Sequence, residues 1–290
     1  MKNVLLMNMS GVCLNQEMFG ANEEVPEAVS VSEPTESIEI IECREISGTD
    51  CYCDDMAEQK LKELIKPYSV NGLHYIDGGN YHYLSKLWTD KIEKAFDLVV
   101  FDHHPDMQAP LFGPILSCGS WIKDTIEANS NLENVYVIGV NEELITEDMR
   151  SSHFGGSENA VSTKIHFITK QMLADKREVS DIVAEEQTSG DNCRKNDIYI
   201  SIDKDVLSEN EYKTNWDQGD MSVEELLEML EFICRRRNVI GIDVCGEMDL
   251  VYAQENPQWN ITNNRVNNRL MHFINYLEKN WDNTVDNNNV

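Results

Sequence analysis

Short apolar runs alternate with longer amphipathic stretches along this chain. The runs at 3–9, 38–42, 73–77, 98–102, 135–140, 164–169, 198–203 and 239–244 are rich in Val, Ile, Leu, Phe and Tyr, and each predicts a strand. Several are apolar on both faces, as in Val99-Val100-Phe101 and Val137-Ile138-Gly139-Val140. Strands read this way when helices cover both sides of a parallel sheet. Between them, residues 54–66 put Met56, Leu61, Leu64 and Ile65 on one helical stripe. Ser222 predicts an N-cap with Glu225 as its capping-box partner, followed by a buried face of Val223, Leu226, Leu227, Leu230 and Ile233. Residues 266–281 predict a final helix with Leu270, Phe273, Ile274 and Leu277 in register. The alternation implies an α/β chain folded as a three-layer αβα sandwich, one domain over residues 1–290. Segments 20–36 and 185–196 read as loops, and 286–290 is expected to fray.

Composition narrows the classes. The chain has 41% apolar residues, ample for a core, yet no run approaches the length of a membrane span. The opening Met1-Lys2-Asn3-Val4-Leu5-Leu6-Met7 is interrupted early by Asn8 and Ser10, so it reads as a buried first strand rather than a secretion signal. A cytoplasmic location is the default expectation. The net charge of -28 repels nucleic acid and anionic membranes, so neither is an expected partner, whereas cations, metal ions included, are favoured. The eight cysteines form no C-x-x-C pair and imply no disulfide scaffold; Cys51-Tyr52-Cys53 alone is a weak metal signal.

The candidate chemistry lies where predicted strands end. Leu98-Val99-Val100-Phe101 leads into Asp102-His103-His104-Pro105-Asp106. If that segment stays extended, the two-residue spacing aims Asp102, His104 and Asp106 to one side, with His103 a neighbour rather than a ligand. Ile198-Tyr199-Ile200-Ser201-Ile202 delivers Asp203 and Asp205 with the same spacing. Leu73-His74-Tyr75-Ile76-Asp77 ends at Gly78-Gly79-Asn80-Tyr81-His82, where paired glycines permit a tight turn and His82 falls at the opening of a helix. Parallel sheets bind ligands beyond the carboxyl ends of their strands. Four carboxylates meeting there need strong cationic compensation, and the nearest cation in sequence, Lys204, should point away from its two Asp neighbours. A lone Asp at a strand end is ordinarily a turn former; the three clusters together point to metal. Oxygen ligands mixed with two imidazoles suit Mn²⁺, Co²⁺, Ni²⁺ or Zn²⁺ better than Ca²⁺.

These residues resemble the ureohydrolase family of arginase, agmatinase and formimidoylglutamase. The family's D-x-H-x-D motif is matched by Asp102, His104 and Asp106, and its S-x-D-x-D motif by Ser201, Asp203 and Asp205. Its Gly-Gly-Asp-His turn is approximated by Gly78-Gly79-Asn80-Tyr81-His82, with one extra residue and Asn for Asp. The resemblance implies an arginase-like fold with a mostly parallel eight-stranded sheet and a site for two divalent ions, foremost Mn²⁺. His82 and Asp106 would hold one ion, His104 and Asp205 the other, with Asp102 and Asp203 bridging. It further implies that a water held and ionised between the ions attacks the carbon of a guanidinium or amidine, with Asp106 relaying the proton to the departing amine. The expected partner is a small cationic guanidino compound or a peptidyl arginine, and relatives' trimers and hexamers allow a homo-oligomer.

Departures from the family pattern touch the substrate side. Cys118, in Ser117-Cys118-Gly119, takes the place of the family's proton-shuttle His, and a thiol serves there only with a lowered pKa. Glu247, an imperfect match to the family's late substrate-binding Glu, is the candidate grip on a cationic substrate, and Trp216 with Asp217 falls in a segment that lines the pocket in relatives. Two alternatives stay open: a deacetylase-like amidohydrolase with one zinc, and a family member that binds metal without turnover.

Overall fold

The computed structural model describes residues 4–16, 38–110, 113–150, 164–173 and 196–285. Each of the eight apolar runs becomes a strand: β1 (Val4–Asn8), β2 (Ile38–Glu42), β4 (Leu73–Ile76), β5 (Phe96–Phe101), β7 (Leu132–Val140), β8 (Lys164–Thr169), β9 (Asp197–Asp203) and β10 (Val239–Cys245). They form one sheet in the order β2-β1-β4-β10-β9-β5-β7-β8, every pairing parallel. Two short strands escaped the periodicity reading, β3 (Tyr52–Cys53) and β6 (Leu116–Ser117), which pair antiparallel outside the main sheet. Two residues are too few for an alternating pattern to register. The loop read at 20–36, nearly all of that at 185–196, and the tail 286–290 lie outside the described residues.

Two apolar clusters show why the strands are hydrophobic throughout. Leu98 and Val100 face one side with α1 (Asp55–Ile65), α2 (Leu84–Thr89) and α3 (Trp121–Ala128). Val99 and Phe101 face the other, against the helices Val223–Cys234 and Pro257–Val285. This is the three-layer αβα arrangement that alternation predicts. Asp54 caps α1 by accepting from the backbone of Met56 and Ala57. The buried stripe of α1 is Ala57, Leu61 and Ile65, while Met56 is 65% and Leu64 37% exposed. The four-residue spacing of 57, 61 and 65 sets the face against the sheet, and Met56 and Leu64, each one position earlier, rotate about 100° off it. The final helix begins at Pro257, nine residues before the expected start, with proline at its first turn, where a missing N–H costs nothing. No helix among the described residues is long and apolar enough to cross a membrane.

Topology positions the site. After β4 the chain passes over the places of β10 and β9 to lay down β5, and fills the gap only near its end. The carboxyl ends of β4, β10, β9 and β5 therefore lie side by side although they come from four distant stretches of sequence. Such a reversal of strand order opens a crevice at the strand ends.

Ser222 and Glu225 make the reciprocal capping box at the helix Val223–Cys234. Ser222→Ala should lower stability by about 1 kcal/mol, read as a reduced urea midpoint with an unchanged slope.

Candidate metal centre

Each cluster of acids and imidazoles is aimed by a local backbone device. At the end of β4, Gly78 and Gly79 enter a 3-10 turn, Gly79–Tyr81, which His82 closes by donating its backbone N–H to Gly79. A Cβ on Gly79 would stand 3.0 Å from Trp216 Cδ1 and 3.3 Å from Asp203 Oδ2, so the absent side chain lets the turn approach the centre. At the end of β9, Asp203 Oδ1 accepts the Asp205 backbone N–H at 3.0 Å and turns the chain so that both carboxylates face inward. After β5 the segment does not stay extended. His104 N–H folds back onto Asp102 Oδ1 at 2.6 Å, His103 N–H donates to Asp205 Oδ1 at 3.1 Å, and Asp106 takes the left-handed φ of 45°. Asp102, His104 and Asp106 thus converge through a bend held by neighbouring carboxylates rather than through strand alternation.

The six predicted ligands come together. His82 Nδ1 lies 3.0 Å from Asp106 Oδ2, 3.2 Å from Asp102 Oδ2 and 3.5 Å from Asp203 Oδ2. His104 Nδ1 lies 2.9 Å from Asp205 Oδ2 and 3.5 Å from Asp102 Oδ1. Asp102 offers one oxygen to each imidazole and belongs to two ligand sets, His82–Asp102–Asp106 and Asp102–His104–Asp205, whose donor atoms lie within 4.8 Å of one another. Asp203 falls in a third set with His82 and Cys245. His103 belongs to none of these sets; its Nε2 faces the exposed Asp217 at 3.5 Å.

Electrostatics show what the arrangement lacks. Burial, then the charge of Asp102, pushes the Asp106 carboxyl up to about 7. Burial and the charges of Asp203 and Asp102 push Asp205 well above the carboxylate range. Burial works against a charged Asp102 as well, but its hydrogen bonding with His104 and the close approach of the His82 imidazole carry it well below the usual range. His104, despite desolvation, is held up to about 12 by Asp102 and Asp205. Protons are standing in for cations. Asp102 Oδ2 lies within ion-pair distance of His82 yet accepts no hydrogen bond while buried. Buried carboxylates, two imidazoles and an orphaned oxygen at their centre fit divalent ions.

The ring of His82 is set for ligation. Its Nε2 meets Ser201 Oγ at 2.9 Å, and Ser201 donates onward to Asp243 Oδ1 at 2.6 Å. With its hydroxyl proton given to Asp243, Ser201 can only accept from His82 Nε2, so a neutral His82 would turn its Nδ1 lone pair toward the acids. Trp121 Nε1 anchors Asp106 Oδ2 at 2.7 Å. Asp243, Trp121 and Cys245 were not singled out as site residues from sequence. Asp243 and Cys245 share a strand and alternate toward the same face as Ser201 and Asp203, a register only pairing reveals.

Around these acids is a small cavity of about 110 Å³, which Gln108, Cys118, Gly119 and Trp216 also line. Cys118 reaches the cavity, but a hydrogen bond with Cys51, followed by burial, pushes its thiol up, the reverse of what a shuttle needs. Glu247 does not line the cavity. Gly246, at φ 92°, turns the chain where a Cβ would stand 2.4 Å from Asp203 Oδ1. Glu247 is thereby directed into a buried cluster with Lys204, Gln16, Tyr212 and Asn267. A grip on substrate from Glu247 is therefore replaced by an internal ion pair, and Lys204 points away from its Asp neighbours as expected. Asp217 is largely exposed and not in the cavity lining.

An eight-stranded parallel sheet whose central strand ends converge on two imidazoles and four carboxylates defines an α/β class with a candidate metal site at its strand ends. Residues 37–263 match the arginase family, and the chain belongs to it. An uncharacterized protein of Thermotoga maritima is 30% identical over 178 residues, 61% of this chain and 59% of that protein, so the match spans less than two thirds of the relative. Formimidoylglutamase from Bacillus subtilis has a similar structure, with a TM-score of 0.63 and 15% identity over 96% of this chain and 85% of that one. Trypanosoma cruzi formiminoglutamase with Mn²⁺ has a TM-score of 0.52 and 11% identity, covering 80% of this chain and 76% of that one.

Removing the Ser201 hydroxyl frees the His82 ring. Ser201→Ala should weaken metal binding roughly 10- to 100-fold, measured by competition with a chelating dye. Stripped of metal, the protein should lose stability as pH rises. Asp106, at about 7 folded against about 3.9 unfolded, binds more protons in the native state, so its contribution is complete below about pH 4 and lost through about pH 7. The raised Asp205 and His104 act in the same direction. With chelator present, melting should occur at a lower temperature at about pH 7.5 than at about pH 5.5, and added divalent ions should raise it more at the higher pH.

Proposed function

We propose that this chain is a binuclear-metal hydrolase that opens the C–N bond of a guanidino or related amidine group. The observation that carries the reading is Asp102, whose two oxygens face two separate ligand sets, the buried Oδ2 without a hydrogen-bond partner. His82 and Asp106 would hold one ion, His104 and Asp205 the other, with Asp102 and Asp203 between them. Divalent ions, with Mn²⁺ the first candidate, supply positive charge and a water activated for attack on an electrophilic carbon. The Trypanosoma cruzi formiminoglutamase, whose structure holds Mn²⁺, supports that choice of ion.

The remaining groups act on the substrate. Acidic walls and a cavity of about 110 Å³ favour a small planar cation and admit the head group rather than a whole amino acid. Trp216 presents its ring at the cavity, fixed by its indole N–H to Asn80 Oδ1 at 2.9 Å and set edge-on to His104. An aromatic wall of this kind suits a guanidinium, free or at the end of a peptidyl arginine. Asp106, at the cavity wall with Oδ2 anchored by Trp121, is placed to take a proton from the attacking water and pass it to the departing amine.

Protein loaded with Mn²⁺ should bind two ions per chain and release urea, ammonia or formamide from a panel of guanidino and formimino compounds. Asp203→Ala should remove at least one ion and lower turnover by roughly 100-fold or more. A fully loaded protein inert across the panel would refute the activity. A single zinc per chain would favour a deacetylase-like centre.

A further inference from the structure

Cys245 stands apart from the other described cysteines. The thiols of Cys43 and Cys53 meet backbone carbonyls in apolar surroundings. Cys245 Sγ instead lies 3.1 Å from Asp203 Oδ2, fully buried. In the sheet Cys245 pairs with Asp203 and Asp243 with Ser201, so alternation puts Cys245 on the face that carries the His82 contacts. The donor atoms of His82, Asp203 and Cys245 all lie within 4.8 Å of one another. Ligands about 2.0–2.3 Å from one ion stand roughly 3–4 Å apart. The observed 3.1 Å from Cys245 Sγ to Asp203 Oδ2 and 3.5 Å from that oxygen to His82 Nδ1 match such a shell.

We propose that Cys245 Sγ is a protein ligand of the ion held by His82, making that half of the centre prefer a thiophilic ion such as Zn²⁺ over Mn²⁺. The inference rests on the two-metal reading and deepens it, because it makes the two halves chemically unequal. The His104–Asp205 half keeps only nitrogen and oxygen donors, which suit a harder ion. A sulfur donor shifts preference from Mn²⁺ toward Zn²⁺, Co²⁺ and Fe²⁺. Coordination displaces the thiol proton to solvent, so the thiolate adds one negative charge that the ion neutralises. No redox step is involved.

Titration of the whole metal-free chain with Co²⁺ tests the assignment. Wild-type protein should develop a thiolate-to-cobalt charge-transfer band in the near ultraviolet. That band should vanish in Cys245→Ser and survive in Cys118→Ser, which controls for the cysteine lining the cavity. In competition, the preference for Zn²⁺ over Mn²⁺ should fall about 10-fold or more in Cys245→Ser, whereas a merely structural cysteine would weaken both ions alike. Should Cys245→Ser fail to fold, Cys245→Ala and the wild-type band itself still decide. Two Co²⁺ bound without the band, or a band that persists in both Cys245 variants, overturns the ligand assignment and leaves the two-metal reading standing. Fewer than two Co²⁺ per wild-type chain overturns the two-metal reading itself.

Discussion

Like charges crowded out of water govern this structure. Asp102, Asp106, Asp203 and Asp205 are all buried and share a space in which a carboxylate pair cannot both ionise cheaply. Without positive charge at the centre, the acids respond by taking protons, as Asp106 and Asp205 do, or by drawing His104 into a lasting imidazolium. Divalent ions resolve the same conflict with fewer groups displaced. The orphaned Oδ2 of Asp102, facing His82, is where that resolution is most needed.

The fold keeps other cations from resolving it. Lys204 sits between two of the acids in sequence, yet its ammonium is turned to Glu247 and Asn267 and over the ring of Tyr212. That buried pair ties the end of β9 to the loop after β10, to Gln16 near the N-terminus and to the long C-terminal helix. A buried ion pair of this kind costs much in desolvation and is tolerated because its remaining hydrogen bonds are satisfied. Its consequence for the site is twofold: Lys204 is kept away from the acids, and Glu247 away from the cavity. Gly246 makes this possible, since any side chain there would collide with Asp203.

Around the acids stands a second layer that fixes orientation. Ser201 and Asp243 decide which nitrogen of His82 carries its proton, and Trp121 decides where Asp106 points. Trp216, Gly79 and Asn80 form one unit in which the indole closes over the glycine turn and is pinned by the asparagine that replaces the family's aspartate. Cys245 brings its sulfur within 4.8 Å of donor atoms of His82 and Asp203.

By itself the amino-acid sequence determined the eight strands and the αβα layering, and it marked six candidate ligands by their spacing at strand ends. Those features follow from periodicity and from short spacings, which are local properties of the chain. The Asp102–Asp106 segment marks the boundary: its residues were legible as candidate ligands, but its bend was not, because the bend is held in part by the carboxylate of Asp205, about a hundred residues later. Glu247, Cys245 and Asp243 lie beyond that boundary. Whether a carboxylate at a strand end faces a cavity or a buried lysine depends on one glycine dihedral, and whether a cysteine meets the acid cluster depends on which strand pairs with its own. Both are set by long-range contacts, so only the tertiary structure could decide them.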